Sequence, residues 1–143
     1  MKITHGVRRI LIVDPDPSFA GKLSATLCSQ GYDVEIADGI TTAGQRLKDV
    51  RFGCVIMDEG LPEMKGHDAV VLLKAISPAS QIIMTATRNT MELEARIRQE
   101  DIFFYYVKTF DMHELQMAVL DAFRKVAKEE RSRARISRGG GGK

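Results

Sequence analysis

The stretch CVIMDEGLP, at residues 54–62, decides the fold of this chain. It is an apolar run that ends in the carboxylate of Asp58 and is then broken by Gly60 and Pro62. Short apolar runs bounded by turn residues are typical of buried strands. Asp58 is therefore expected at the carboxyl end of a buried strand, which is the edge where open α/β sheets place their ligand crevice.

Other apolar runs repeat this arrangement along the chain. RILIV at residues 9–13 leads into Asp14-Pro15-Asp16, QIIMT ends in Thr85, and FFYYV is followed by Lys108. A shorter alternating run at 32–37 predicts a strand near a sheet edge. Helices are expected between the strands, where apolar residues recur at helical spacing: from Asp16 to Gly31, over 41–50, 66–76 and 89–100, and from Asp111 onward. Strand and helix alternate five times, which predicts a flavodoxin-like, doubly wound (βα)5 three-layer fold with a five-stranded parallel sheet.

Composition indicates one globular domain in this chain of 143 residues, 44% of them hydrophobic. No apolar run is long enough to predict a transmembrane helix, and no secretion signal is evident. Cys28 and Cys54 lie in apolar segments without metal-like spacing, so both are expected to be reduced core thiols of a cytoplasmic protein.

Charge divides the chain unevenly. Residues 124–143 carry eight basic and two acidic side chains, a net charge of +6, and because the total is +2, residues 1–123 carry −4. We expect a lead at 1–7, a folded domain at 8–128, and a basic, Gly-rich tail at 129–143 that is a linker or disordered. Such a tail is most often the solvated end of a helix, so nucleic acid is not an expected partner, and neither is a membrane.

The strand ends carry the chemistry. In a parallel sheet Asp14, Asp58, Thr85 and Lys108 would converge on one edge, with Asp16 close behind. Adjacent carboxylates repel unless a cation lies among them, and oxygen ligands suit Mg²⁺. A lysine and a hydroxyl opposite them suit the oxygens of a phosphoryl group. The pattern predicts phosphoryl transfer to a carboxylate.

At these positions the chain resembles the receiver domain of two-component response regulators, over about residues 8–128. The residues that carry the resemblance are VIMD at 55–58, Leu61-Pro62, Met64, Gly66, Thr85-Ala86, Tyr105 and Lys108. The resemblance implies a signalling domain rather than an enzyme. Its phosphoryl donor would be a histidine kinase or a histidine phosphotransfer protein. Its output would be a downstream protein or an output domain beyond this sequence, and a homodimer through the last two helices is left open.

The resemblance also implies the roles of individual residues. Asp58 would be the phosphoacceptor, and Thr85 and Lys108 would contact the phosphoryl group. Thr85 and Tyr105 would form the switch. Mg²⁺ would be held by Asp58, by Asp14 or Asp16, and by the backbone carbonyl of Gly60.

Two departures from the family pattern leave alternatives open. Pro15 occupies the place of the second acid of the family's acidic pair, and Asp16 either compensates or caps the following helix. Thr109 stands where the family has proline, so we expect a trans Lys108–Thr109 bond and a displaced Lys108. The first alternative is a phosphorylation-independent pseudo-receiver adaptor with impaired Mg²⁺ binding. The second is a haloacid-dehalogenase-type phosphohydrolase, because Asp14-Pro15-Asp16 is similar to that superfamily's nucleophile motif.

Overall fold

A computed structural model describes residues 8–88, 91, 95, 101–108 and 111–141, with side chains up to residue 136. Within these ranges strands and helices follow one another as the sequence predicts. The elements are β1 (Arg9–Val13), α1 (Pro17–Ser29), β2 (Asp33–Ala37), α2 (Ile40–Asp49), β3 (Cys54–Asp58), α3 (Gly66–Ile76), β4 (Gln81–Ala86), β5 (Phe104–Val107) and α4 (Met112–Gly141). The predicted helix at 89–100 and the lead at 1–7 lie outside the described residues, apart from the two isolated positions 91 and 95.

The five strands form one parallel sheet in the order β2-β1-β3-β4-β5, which confirms the flavodoxin-like fold. The apolar run that ends in Asp58 is the central strand, and every residue of β3 and β4 is buried. Strands buried on both faces need continuous apolar runs, which explains their composition. β2 is an edge strand with a mixed burial pattern, as its alternating sequence predicts.

Helices cover both faces of the sheet, so the molecule has three layers. On one face, α2 and α3 enclose a core that includes Leu11, Val55 and Leu73. On the other, α1 and α4 enclose a second core that includes Ile12 and Leu23. Alternate residues of each strand supply the two cores because successive side chains point to opposite faces.

The ends of α1 follow from its sequence. The Asp16 side chain accepts a hydrogen bond from the Ser18 amide, and Pro17 occupies the first helical position. Gly31, just past the helix, has a φ of 94°, the left-handed conformation that glycine adopts without strain. One expectation about this helix is wrong: Cys28 is exposed, whereas Cys54 is buried in β3 as expected. The apolar neighbours of Cys28 in the sequence are not its neighbours on the helix surface.

The last helix is much longer than its apolar stripe. The side chain of Asp111 accepts a hydrogen bond from the His113 amide at the start of α4, and Leu115, Val119 and Ala122 are buried against the sheet. The helix then continues to Gly141, through residues for which the sequence predicted a linker or disordered tail. The side chains of residues 131–136 are exposed, so backbone hydrogen bonding rather than packing maintains this last described part. In the described part of the chain, no helix is both long and apolar enough to cross a membrane.

Candidate functional site

Four of the predicted site residues meet at the carboxyl edge of the sheet. Asp14 follows β1, Asp58 is the last residue of β3, Thr85 lies in β4 beside Asp58, and Lys108 follows β5. Asp14, Asp58 and Thr85 are buried. The parallel topology alone brings together residues that are up to 94 positions apart in the sequence.

Lys108 bridges the two buried carboxylates. Its ammonium lies 2.9 Å from Asp14 Oδ2 and 2.9 Å from Asp58 Oδ1. The exposed fractions of these side chains are 13% for Lys108, 1% for Asp14 and 10% for Asp58, so the three charges are largely withdrawn from water. Thr109 lies outside the described residues, and the trans peptide bond and displacement expected at Lys108 therefore stay predictions.

Burial and these contacts shift the pKa values in the cluster. Burial raises the pKa of Asp14 above its ordinary value, against the lowering effects of the Asp16 amide and of Lys108. Burial by itself would lower the pKa of Lys108, but its contacts with Asp58 and Asp14 outweigh burial and the net shift is upward. The lysine is therefore a firmly held cation at neutral pH.

Backbone amides orient both carboxylates. The Asp16 amide donates to Asp14 Oδ1 at 2.8 Å, and the Gly60 amide donates to Asp58 Oδ2 at 2.9 Å. The Thr85 hydroxyl donates a long hydrogen bond of 3.4 Å to Asp58 Oδ1. Asp58 thus has a fixed orientation: its Oδ2 accepts a hydrogen bond from a backbone amide, and its Oδ1 faces the Lys108 ammonium and the Thr85 hydroxyl.

The donor set of the site fits a divalent cation. Asp14 Oδ2 is buried and accepts no hydrogen bond of acceptable geometry from the described residues, although the Lys108 ammonium lies beside it. Within the described ranges, no group of three or more His, Cys, Asp and Glu residues could hold a metal. Two carboxylates completed by backbone carbonyl and water oxygens are nevertheless an ordinary environment for Mg²⁺.

The Asp16 side chain forms a hydrogen bond with the start of α1. It caps α1 through the Ser18 amide, at 3.0 Å, so the capping interpretation is confirmed. A role for Asp16 or for the Gly60 carbonyl as a metal ligand stays a prediction. Tyr105 lies in β5 and packs, partly buried, against the core beneath α2 and α3, and its switch role likewise stays a prediction.

Sequence reasoning missed two residues near the site. The Phe19 ring lies under the Lys108 ammonium, 4.5 Å from ring centroid to Nζ, a favourable cation–π geometry. Glu63, in the loop after Asp58, contacts the start of α2. Phe19 lies at helical spacing from Leu23 and Leu27, a pattern that indicates packing alone, and no local pattern identifies a contact between residues 23 positions apart.

Comparison with known proteins identifies this arrangement. The family model described as the response regulator receiver domain matches residues 10–120. The chain belongs to the response regulator receiver domain family. The matched range falls within the 8–128 predicted for the folded domain, and it contains all the site residues discussed above.

Individual proteins resemble this receiver domain over most of its length. The DNA-binding response regulator MtrA of Mycolicibacterium smegmatis is 30% identical over 118 residues, which are 82% of this chain and 51% of that protein. The chain thus spans about half the length of MtrA. The regulatory protein AtoC of Escherichia coli is 28% identical over 113 residues, which are 79% of this chain and 24% of AtoC.

Solved structures share the fold. The beryllofluoride-activated NtrC4 receiver domain dimer has a TM-score of 0.77 at 23% identity, covering 82% of this chain and 98% of that one. A response regulator from Burkholderia pseudomallei with a phosphorylated aspartic acid, calcium ion and citrate has a TM-score of 0.73 at 20% identity, covering 86% of this chain and 72% of that one. At these identities the likeness concerns the fold.

Proposed function

We propose that this receiver domain accepts a phosphoryl group on Asp58 from the phosphohistidine of a kinase or phosphotransfer protein. The observation that carries the proposal is the environment of one oxygen, Asp58 Oδ1, which faces the Lys108 ammonium at 2.9 Å and the Thr85 hydroxyl at 3.4 Å. A cation and a hydroxyl donor are what the oxygens of a transferred phosphoryl group require.

The transfer exchanges one bond to phosphorus for another. An Asp58 carboxylate oxygen forms a bond to phosphorus, the bond between phosphorus and the donor's imidazole nitrogen breaks, and its electron pair stays on the imidazole, which leaves neutral after protonation. The products are an acyl phosphate on Asp58 and a free histidine. The Lys108 ammonium, which now pairs with the Asp58 carboxylate, would pair with the phosphoryl oxygens instead, and the Thr85 hydroxyl would donate a hydrogen bond to one of these oxygens.

The site residues would also hold a cation. Asp58, Asp14 or Asp16, and the backbone carbonyl of Gly60 would bind Mg²⁺, which would neutralise charge on the transferred group. The buried Asp14 Oδ2 supports this, as does the calcium ion named with the phosphorylated Burkholderia regulator. Because Lys108 contacts the same oxygen of Asp14, the lysine and the metal would share its negative charge.

The new dianionic group would shift the equilibrium between two side-chain packings of the domain, and Thr85 and Tyr105 would be the residues that change position. The output would reach a downstream protein or an output domain, and a homodimer through the last two helices fits the dimeric state named for the NtrC4 neighbour. A signalling role rather than enzymatic turnover, and a cytoplasmic location, belong to this proposal. The phosphohydrolase alternative is weakened because its nucleophile, Asp14, is 1% exposed and held by the Asp16 amide and Lys108.

Beryllofluoride binding in the presence of millimolar Mg²⁺ tests the proposal. We expect the wild type to bind this phosphoryl mimic, with shifts in the NMR amide signals of Gly60 and Thr85, and the Asp58→Asn variant not to bind it. Omission of Mg²⁺ should abolish binding to the wild type. Absence of binding to the wild type with Mg²⁺ present would refute phosphorylation of Asp58 and favour the pseudo-receiver adaptor.

A further inference from the structure

Glu63 connects the loop after Asp58 to the start of helix α2. Its Oε1 accepts a hydrogen bond from the Ile40 amide at 2.7 Å, and its Oε2 lies 3.4 Å from the Thr41 amide, which donates to it. The two amides belong to the first turn of α2, where helical amides have no partner within the helix. The side chain of Glu63 therefore caps the N-terminus of α2 from a distant part of the chain.

The sequence of α2 leaves room for this contact. Its N-cap residue is Gly39, which has no side chain to cap the helix, and its first turn contains no acidic residue. A Cβ atom at Gly39 would lie 2.5 Å from Glu63 Oε1, so a larger residue here would force the carboxylate to shift from its present position on the amides. The absence of a local cap and the space for a distant one occur at the same residue.

The contact closes a ring of interactions around the two site carboxylates. On one side, the Asp14 amide donates to the carbonyl of Ala37, two residues before Gly39, at 3.0 Å. On the other side, the loop that contains Glu63 also contains Gly60, whose amide holds Asp58 Oδ2 at 2.9 Å. Glu63 thus ties the segment beside Asp14 to the loop that orients Asp58.

From this geometry we infer that Glu63 is a positioning residue: by capping α2 it fixes the loop whose Gly60 amide orients Asp58 toward the phosphoryl group. The inference rests on the proposed function for its consequence but not for its structural content. The contact also holds the pKa of Glu63 below its ordinary value, chiefly through the hydrogen bond from Ile40, so the carboxylate is ionised at neutral pH.

The test compares the wild type with Glu63→Ala, Glu63→Gln and Gly39→Ala by NMR and by beryllofluoride binding. Loss of one N-cap corresponds to a change of about fivefold in an equilibrium constant, so Glu63→Ala should speed hydrogen exchange of the Ile40 amide and weaken beryllofluoride binding, each by about this factor. Glu63→Gln keeps an acceptor oxygen, so its Ile40 exchange rate and its beryllofluoride affinity should lie between those of the wild type and of Glu63→Ala. Asp49→Ala removes an exposed acid from the other end of α2 and should change neither measurement.

Gly39→Ala attacks the same contact from the opposite side. Its new Cβ should displace the Glu63 carboxylate, so both Gly39→Ala and Glu63→Ala should shift the NMR signal of the Gly60 amide and weaken beryllofluoride binding. In a Glu63→Ala background, where no carboxylate remains to be displaced, its further effect on beryllofluoride binding should be much smaller.

Two results would overturn the inference. The first is faster exchange of the Ile40 amide in Glu63→Ala with an unchanged Gly60 amide signal and unchanged beryllofluoride affinity, because Glu63 would then stabilise α2 and nothing more. The second is full additivity of the two substitutions. If the wild type does not bind beryllofluoride, the proposed function fails, and the Gly60 amide signal in the variants still decides whether Glu63 positions the loop.

Discussion

Substitution of Lys108 by methionine should show how much stability depends on neutralising the two buried carboxylates. Methionine keeps most of the side-chain volume over Phe19 but removes the charge. An ion pair at 2.9 Å is worth about 6 kcal/mol at an effective dielectric constant of about 20, before the cost of burying the ions. Removing one partner from a buried pair typically costs about 3–5 kcal/mol. Because this site lies at the edge of the sheet, we expect the lower end, a loss of about 3 kcal/mol.

Urea unfolding at neutral pH in the presence of EDTA would measure this loss. Mg²⁺ added in excess of the EDTA should then restore part of the stability of Lys108→Met, because a cation that binds the folded state replaces the missing charge. Lys128→Met, at an exposed position of α4, is the matched control and should change the free energy of unfolding by less than about 0.5 kcal/mol. If Lys108→Met is as stable as this control, the carboxylates are better solvated than their burial indicates and the reasoning is wrong.

Three further predictions concern other parts of the fold. Arg46 lowers the pKa of Glu35, so the pair stabilises the fold above pH 4.5, the carboxyl's ordinary pKa, and this is lost as the pH falls through the lower folded value. In urea unfolding at several pH values, Glu35→Gln should therefore reduce the free energy of unfolding by less than about 1 kcal/mol near neutral pH, because the pair is partly exposed. In acid, where Glu35 is protonated, the variant should be as stable as the wild type. Gly66→Ala should destabilise the protein by about 1–3 kcal/mol in thermal unfolding, because its Cβ would lie 2.9 Å from a backbone atom, whereas Gly21→Ala, with open space in α1, should stabilise it by up to about 1 kcal/mol. Phe19→Leu should weaken Mg²⁺-dependent beryllofluoride binding by about two- to fivefold, since the ring that supports the site lysine is lost, and unchanged binding would show that the carboxylates alone hold that lysine.

The sheet and the edge where the site lies could be predicted because each depends on short-range signals. Continuous apolar runs mark strands buried on both faces, and a run that ends in Asp58 or Thr85 places that side chain at the sheet edge once the strands are known to be parallel. Parallel pairing follows from the helical periodicity between the runs. The convergence of Asp14, Asp58 and Lys108 is then a consequence of topology.

Some features could not be predicted because they depend on contacts between side chains far apart in the sequence, and others because they depend on the orientation or the extent of a helix. Glu63 reaches Ile40 because the β3–α3 loop passes the start of α2. Phe19, in α1, meets Lys108 because the long lysine side chain extends from the end of β5 past β4 toward the ends of β3 and β1. Apolar neighbours in the sequence did not reveal that Cys28 faces solvent, since that depends on its angular position on α1. The glycines at 139–141 indicated a flexible tail by composition, whereas the helix continues through them to Gly141.

The length of α4 has a mechanical consequence. At 1.5 Å per residue its 30 residues span about 45 Å. Glu129 and Glu130 still contact Gln81 and Arg51, whereas the described side chains beyond them, at 131–136, are all exposed, so the helix beyond Glu130 extends from the domain as an arm. A tilt of about 5° in the packed part would move the end of this arm, roughly 16 Å away, by about 1.4 Å, and each residue inserted into the arm would turn whatever follows by about 100°. The arm therefore converts small repacking beneath it into displacement at a distance, and its length in residues sets the direction of that displacement.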